Sequence, residues 1–263
     1  MSSDDMSKAA TDFYDRLGPE YRHNMGWDWN AVMRDEGKTL DRILSAEAGR
    51  AGPFTLLDCS CGIGTQAIGL ATQAHKVHAT DLSPVSIECA RNEAARLGAE
   101  MTFGVADFRE LEAVVTDTFD VVLTCDNSIA HCLQDEDLSA ALNSMRDRLN
   151  PDGILLISLR DYAPLVANKP RFNSEHVQDQ ADGRRVVFQV WDWAESGDRY
   201  HTTQFLLRQT DDGFATKHYK TELRALLKEE ILAGVQAAGY KNIRWHTPEE
   251  SGYYQPIITA RNS

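Results

Sequence analysis

Residues 54–67, FTLLDCSCGIGTQA, constrain the fold of this chain more than any other stretch. Phe54 to Asp58 is short, apolar and preceded by Gly52-Pro53, the pattern of a buried strand. It runs straight into Gly62 and Gly64, which let a backbone turn sharply and lie close to a ligand. A helical pattern follows, and the next apolar segment, Val77-His78-Ala79-Thr80-Asp81, ends in an acid. Strand, glycine turn, helix and a second strand tipped by a carboxylate form the opening unit of a Rossmann-like α/β sheet. In such a unit a nucleotide-sized cofactor lies on the turn, and the acid accepts hydrogen bonds from both ribose hydroxyls.

The same glycines, Gly62-x-Gly64-x-x-Ala67, also satisfy the fingerprint that holds the pyrophosphate of NAD. Three features oppose that reading. Asp58 stands just before the turn, where it repels a phosphate and attracts an ammonium. About fifty residues of amphipathic and aromatic sequence precede the first strand, and a third acid, Asp107, follows the strand-like MTFGVA, beside the position of an adenine. In order and spacing, LLDCSCGIGTQA, TDLSP and VADF resemble the motifs of class I S-adenosylmethionine (SAM) methyltransferases. The resemblance implies SAM as cofactor, with the turn from Asp58 to Gly64 at its methionine end, Asp81 on the ribose and Asp107 on the adenine amino group. Cys59, Leu82, Ala106, Phe108, Cys125 and Tyr14 belong to the same implied set, and Arg34 is placed on the cofactor carboxylate.

A further stretch, FDVVLTCDNSIAHCL (119–133), then ALNSMRDRL, Asn150-Pro151-Asp152-Gly153 and ILLISLRDY (154–162), resembles the glycine and sarcosine N-methyltransferases, the likeness covering roughly residues 54–165. In that family an asparagine-serine-x-x-histidine stretch follows the fourth strand, and an arginine ends the fifth before an Asn/Asp-Tyr pair. Those positions are Asn127, Ser128, His131 and Arg160 here, with Asp161 and Tyr162 beyond. The resemblance implies transfer of a methyl group to the amine of a small carboxylate-bearing acceptor. Arg160 and Asn127 would fix that acceptor, with His131 and Tyr21 at the remaining catalytic positions. One residue departs from the pattern: Asp126 stands where the family commonly has glycine, which alters the acceptor pocket or favours a more basic substrate.

The chemistry of these residues agrees with the resemblance. Ligands of open parallel sheets bind beyond the carboxyl ends of the strands, so Asp58, Asp81, Asp107, Asp126, Asn127 and Arg160 converge on one crevice if each ends its strand. An arginine there offers a planar fork that matches a carboxylate. Simpler roles stay open: Arg160 paired with Asp161 at the surface, Asn127 capping the helix that follows, His131 as a hydrogen-bonded structural group. An amino sugar, larger amine or hydroxyl as acceptor, and SAM binding without transfer, stay open too.

At 263 residues the chain suits one large α/β core with additions. The expected division is an N-terminal helical lid over 1–50, a SAM-binding core over 51–165, an antiparallel β insertion over the acceptor pocket at 166–222, and a C-terminal helix with the last two of seven core strands over 223–263. The lid reads as helices over 7–24 and 30–48, its rings Tyr14, Tyr21, Trp27 and Trp29 folding over the cofactor or packing the helices onto the sheet. In the insertion, Val187, Gln189, Trp191 and Trp193 alternate with Val186, Phe188, Val190 and Asp192. Turns at 195–198 and 211–213 then make three strands, whose Trp191, Trp193, Tyr200 and Tyr219 either shape the acceptor pocket or serve ordinary hairpin packing. A net charge of −13 repels phosphate backbones, so nucleic acid is not an expected partner. No apolar run approaches the ~20 residues that cross a bilayer, and MSSDDMSKAATDFY lacks a basic-then-apolar signal. The five cysteines, Cys59, Cys61, Cys89, Cys125 and Cys132, include no CxxC pair; no metal site is expected, and free thiols point to a reducing cytoplasm. The oligomeric state is not legible from the sequence.

Overall fold

The computed structural model describes residues 3–24 and 28–262; Trp27 of the expected lid lies outside them. Two helices, α1 (Ser3–Asn24) and α2 (Trp29–Ala48), come first. The alternating core follows: β1 (Thr55–Asp58), α3 (Thr65–Ala71), β2 (Lys76–Asp81), α4 (Pro84–Leu97), β3 (Thr102–Val105), β4 (Phe119–Thr124), α5 (Asp135–Arg146), β5 (Leu149–Ser158) and α6 (Tyr162–Asn168). Next come β6 (Phe172–Gln180), β7 (Gly183–Trp193), β8 (Arg199–Thr210) and β9 (Gly213–Arg224). The described chain closes with α7 (Lys228–Ala237), β10 (Lys241–His246), α8 (Pro248–Ser251) and β11 (Ile257–Arg261).

The seven-stranded sheet has the order β10-β11-β5-β4-β1-β2-β3. β1 to β5 are mutually parallel, and β11 runs antiparallel to both β5 and β10. The chain steps outward from β1 through β2 to β3, then crosses back to β4 and continues the other way. A crevice opens at the carboxyl ends of β1 and β4, where the direction of winding reverses. Helices cover both faces. Leu56, Val121, Leu123 and Leu156 pack with Leu40 and Leu44 of α2, Leu70 of α3 and Ile87 of α4. Their chain neighbours Leu57, Val122, Leu155 and Ile157 pack on the other face with Leu142 and Met145 of α5 and Ile231 and Val235 of α7. Burial on both faces is why these strands read as unbroken apolar runs and not as alternation.

On α2 the inward residues Trp29, Met33, Gly37, Leu40 and Leu44 recur at helical spacing. Where α2 meets α3 the backbones nearly touch: a Cβ on Gly69 would stand 2.4 Å from the Met33 carbonyl oxygen, and one on Gly37 2.4 Å from the Gly69 backbone. α4 starts at Ser83, whose hydroxyl accepts from the Ser86 N–H at 2.9 Å, with Pro84 in the first turn. That arrangement is the structural content of the TDLSP segment.

The second sheet has the order β6-β7-β8-β9 and is antiparallel throughout. The two turns lie where the sequence places them, but the sheet has a fourth strand, β6, that the three-strand expectation omits. Its sequence, FNSEHVQDQ, is polar along most of its length, and at a sheet edge little apolar patterning is required. One face of this sheet packs through Val187, Leu206 and Tyr219 onto Phe13 and Leu17 of α1. Trp191, Tyr200 and Leu223 pack onto Tyr162 and Ala130 of the core.

Because the α2–α3 crossing leaves no room for a side chain, Gly69→Ala is expected to destabilise by about 1–3 kcal/mol through overpacking. Thermal melts followed by circular dichroism read this as a drop of several degrees. An unchanged midpoint would show that the helices separate freely.

Candidate active site

A cavity of about 1160 Å³ lies over the carboxyl ends of the strands, between the core, α1, α2 and the second sheet. On the β1 side the chain turns through Gly64, held at φ 91°, where a Cβ would come within 2.8 Å of Ile68 Cδ1. The Gly62 N–H donates to Asp81 Oδ2 at 2.8 Å, and the Ser83 N–H donates to Oδ1 at 2.9 Å. One carboxylate therefore ties the glycine turn to the start of α4 and keeps a lone pair on each oxygen for a ligand. Cys59, Gly62, Asp81, Leu82, Ala106, Asp107 and Phe108 all line this part of the cavity.

Four expected cofactor contacts are placed elsewhere. Asp58, Gly64 and Cys125 stand behind the wall, not on it. Asp58 is fully buried; its Oδ1 accepts from the Ser60 N–H at 3.2 Å, and its Oδ2 has no hydrogen-bond partner. Burial pushes this carboxyl up to about 7. Arg34 is exposed on the outer side of α2 and does not line the cavity; Val32, Asp35, Glu36 and Thr39 do, because the helix turns position 34 outward. Asp107 lines the cavity while paired with Arg109 at 2.6 Å, and Arg109 also reaches Asp137 at 2.7 Å.

The other side is built from the loops after β4 and β5. Asn127 follows β4 in the left-handed region (φ 68°). It does not cap the short helical turn Ser128–His131 with its side chain; Oδ1 instead accepts from the Arg160 N–H at 3.1 Å and the Tyr162 hydroxyl at 3.0 Å. Arg160 is half-buried, donates to the Tyr200 hydroxyl at 2.9 Å and lies 5.3 Å from the centre of the Trp191 ring. Among the described residues it forms no ion pair, with Asp161 or any other carboxylate; Asp161 caps α6 instead. His131 Nε2 is 3.0 Å from the Tyr14 hydroxyl, and burial, then Arg160, push the imidazole down to about 4, so it is neutral near pH 7. Tyr21 donates to Asp126 Oδ2 at 3.1 Å, and Tyr254 to Oδ1 at 2.5 Å.

The aromatic residues of the second sheet serve packing and not the pocket. Trp191, Trp193, Tyr200 and Tyr219 do not line the cavity; Val187, Gln189, Thr202, Gln204, Thr221 and Leu223 do. Trp191, Trp193 and Tyr200 form a packed layer behind, where Trp191 and Tyr200 back Arg160, and Tyr219 packs onto Phe13 of α1. Trp29, by contrast, both packs and lines, its indole N–H donating to Thr65 at 2.8 Å.

A family model described as a methyltransferase domain matches residues 56–153, from β1 into β5. Residues 56–153 thus form a methyltransferase domain, and the fold around them is that of the class I SAM methyltransferases. It is 30% identical over 156 residues to a glycine/sarcosine N-methyltransferase of Parasynechococcus marenigrum (strain WH8102), the match covering 59% of this chain and 51% of that protein. The chain thus spans about half the length of that relative. Its fold is similar to that of an amino pentose methyltransferase from Micromonospora echinaspora, with a TM-score of 0.71, 18% identity and coverage of 88% of this chain and 92% of that one. A sugar N-methyltransferase from Streptoalloteichus sp. gives a TM-score of 0.72 at 18% identity, with 87% of each chain covered.

Two site groups of this methyltransferase lay outside the sequence reading. Glu36 lines the cavity from α2, its Oε2 accepting from Gln66 at 2.7 Å and from Tyr253 at 3.1 Å. A carboxylate on the same helical stripe as Met33, Gly37 and Leu40 is a legible signal. Tyr254, in the loop after α8, has none. The cavity wall is strongly acidic: Asp35, Glu36, Asp81, Asp107, Asp126, Asp161 and Glu249 outnumber Arg109 and Arg160. Such a wall favours cationic ligands. Burial first, and Asp126 second, push the Glu36 carboxyl up to about 7. Since this folded value lies above the ordinary one, the folded state holds the proton longer than the unfolded state, and Glu36 withdraws stability as pH rises toward 7. Glu36→Gln is therefore expected to raise the ligand-free melting temperature relative to the parent, by more at pH 8 than at pH 5. A gain independent of pH would show that Glu36 titrates normally.

Proposed function

We propose that this methyltransferase transfers a methyl group from SAM to the amine of a small carboxylate-bearing acceptor of the glycine or sarcosine kind. The observation that supports it most is Arg160, a half-buried guanidinium on the cavity wall with no carboxylate of its own among the described residues. Its fork is fixed by Tyr200 and by the Trp191 ring face, which leaves the remaining donors for a planar anion. The glycine/sarcosine N-methyltransferase to which the chain is similar has that acceptor class in its name.

The residues fit SAM. Asp81 presents a carboxylate anchored at both oxygens beside the glycine turn, suited to two ribose hydroxyls, and the acidic wall suits a ligand with sulfonium and ammonium charges. When bound, SAM supplies a methyl group already activated by the sulfonium charge, so the chain need not furnish a nucleophile. The protein positions and dries. Asn127 fixes the loop after β4 against Arg160 and Tyr162, and neutral His131 holds the Tyr14 hydroxyl at the cavity wall. We place α1 and the four-stranded sheet as the cover of this site.

A second acceptor class has its own support. Gln189, Gln204, Thr202 and Thr221 give the second sheet's side of the cavity an uncharged, hydrogen-bonding surface, and Thr202 Oγ1 is buried without a partner. Hydroxyls of an amino sugar suit such groups, and two proteins of similar fold are named as an amino pentose methyltransferase and a sugar N-methyltransferase.

The test is S-adenosylhomocysteine release with glycine, sarcosine, dimethylglycine, larger amino acids, amino sugars and phenols. Turnover confined to small amino acids is the expected result, and turnover confined to amino sugars moves the assignment to the second class. Arg160→Gln is expected to raise the KM of a carboxylate-bearing acceptor roughly 10- to 100-fold, the worth of a charge-assisted hydrogen bond, with SAM affinity retained. Asp81→Asn is expected to weaken SAM by a similar factor in calorimetry; unaltered SAM binding would remove Asp81 from the cofactor site.

A further inference from the structure

We infer that Asp126 is the counter-ion of the acceptor's ammonium group on binding, before the nitrogen gives up to solvent the proton that must leave for methyl transfer, and so the residue that makes this cavity select a cationic amine; the inference rests on the amine-methylation reading above. Asp126 follows β4 by two residues with φ 53°, and with Asn127 at φ 68° it makes two successive left-handed residues, neither of them glycine. Side chains rarely adopt that backbone, and pairs of such residues gather where a loop is held for function. The loop is pinned: the Asp126 N–H donates to Ser158 Oγ at 2.8 Å and the Asn127 N–H to the Ser158 carbonyl at 3.1 Å.

The carboxylate is then clamped from two other elements. Tyr21 of α1 donates to Oδ2 and Tyr254 donates to Oδ1. Both phenols are held well above their ordinary range, first by burial and next by the charge of Asp126, so both remain donors. One lone pair stays open on each carboxylate oxygen. Asp126 is exposed and lines the cavity, and among the described residues no cation pairs with it. Arg160 lines the same cavity from the neighbouring strand, yet the two form no ion pair with each other. Glu36 and Tyr253 face this corner from α2 and the α8 loop; burial raises both, and the negative charge of Asp126 adds to each. Among the described residues no cation touches the carboxylate itself; Arg160 is near enough for the two charges to act on each other without an ion pair, and offers an anion site beside it. An acceptor with an ammonium next to a carboxylate, or next to hydroxyls, matches that arrangement.

The experiment is calorimetric titration of the full chain, with S-adenosylhomocysteine bound, using paired probes that differ only in the amine: glycine against glycolate, and glucosamine against glucose. The parent is expected to bind the amine-bearing member of at least one pair more tightly. Asp126→Asn should weaken that member roughly 10- to 100-fold while changing its amine-free partner and S-adenosylhomocysteine by less than about twofold, and Asp126→Glu should recover part of the loss. A parent that prefers neither amine, or an Asp126→Asn variant that weakens both members equally, overturns the inference, because a loop merely disturbed does not discriminate between them. The amine-methylation reading has a separate readout. Turnover of hydroxyl acceptors alone by the parent overturns that reading, whereas amine turnover with undiminished amine affinity in Asp126→Asn overturns this inference and leaves the reading standing.

Discussion

β1 ends inside the protein. It is four residues long, hydrogen-bonded to β2 on one side and β4 on the other, and covered by helices above and below. The chain leaving it is flanked by β2 and β4 and opens only onto the cavity, so the turn satisfies most of its backbone groups within the protein. The Cys59 N–H goes to the Leu123 carbonyl, the Cys61 N–H to the Thr80 carbonyl and the Gly62 N–H to Asp81. These bonds consume groups of both neighbouring strands, which fixes the ends of β2 and β4 relative to β1. The rest of the site inherits that registration, since the loops carrying Asp81 and Asp126 start from β2 and β4, which pair with β1, and the loop carrying Arg160 starts from β5, which pairs with β4.

The two halves of the cavity are built on different principles. Around the glycine turn, shape comes from backbone: a left-handed glycine, a helix start and N–H groups aimed at one carboxylate. Beyond β4 and β5, shape comes from side chains bonded to one another, with Asn127 joining the Arg160 N–H to Tyr162, and Tyr162 lying 3.2 Å from the Tyr200 hydroxyl. Backbone shape serves a ligand that is always the same, while side-chain networks can be altered one residue at a time. On the function proposed above, a cofactor half and an acceptor half divide along that line.

Legibility in the sequence follows the same division. The strand-turn-helix unit, the acid after β2 and the mixed seven-stranded sheet could be read because local rules produce them: apolar runs, glycines, an N-cap before Pro84. The antiparallel sheet was legible at β7, β8 and β9, where alternation and turn residues coincide, and illegible at β6, whose edge position demands little apolar character. Arg34 was misplaced because a helix turns by about 100° per residue, so an alignment loose by one or two positions moves a side chain from the cavity to solvent. Of the two roles open to Trp191 and Trp193 in the sequence, pocket lining and hairpin packing, they take the second. Alternation tells which residues share a face of a strand, but not which of them faces the cavity and which the packed layer behind it. Tyr254 and the Asp126 clamp arise from segments more than a hundred residues apart and leave no local trace.

A single helix, α1, touches every part of the site. Asp15 accepts from the Ser83 hydroxyl at the start of α4, Tyr14 meets His131, Tyr21 meets Asp126, and Phe13 and Leu17 sit under the second sheet. Little more than two turns of one rod, residues 13–21, therefore fasten the loop after β2, the floor after β4 and the roof at once. Rigid displacement of that rod would break these contacts together, so the three parts of the wall it joins are mechanically one.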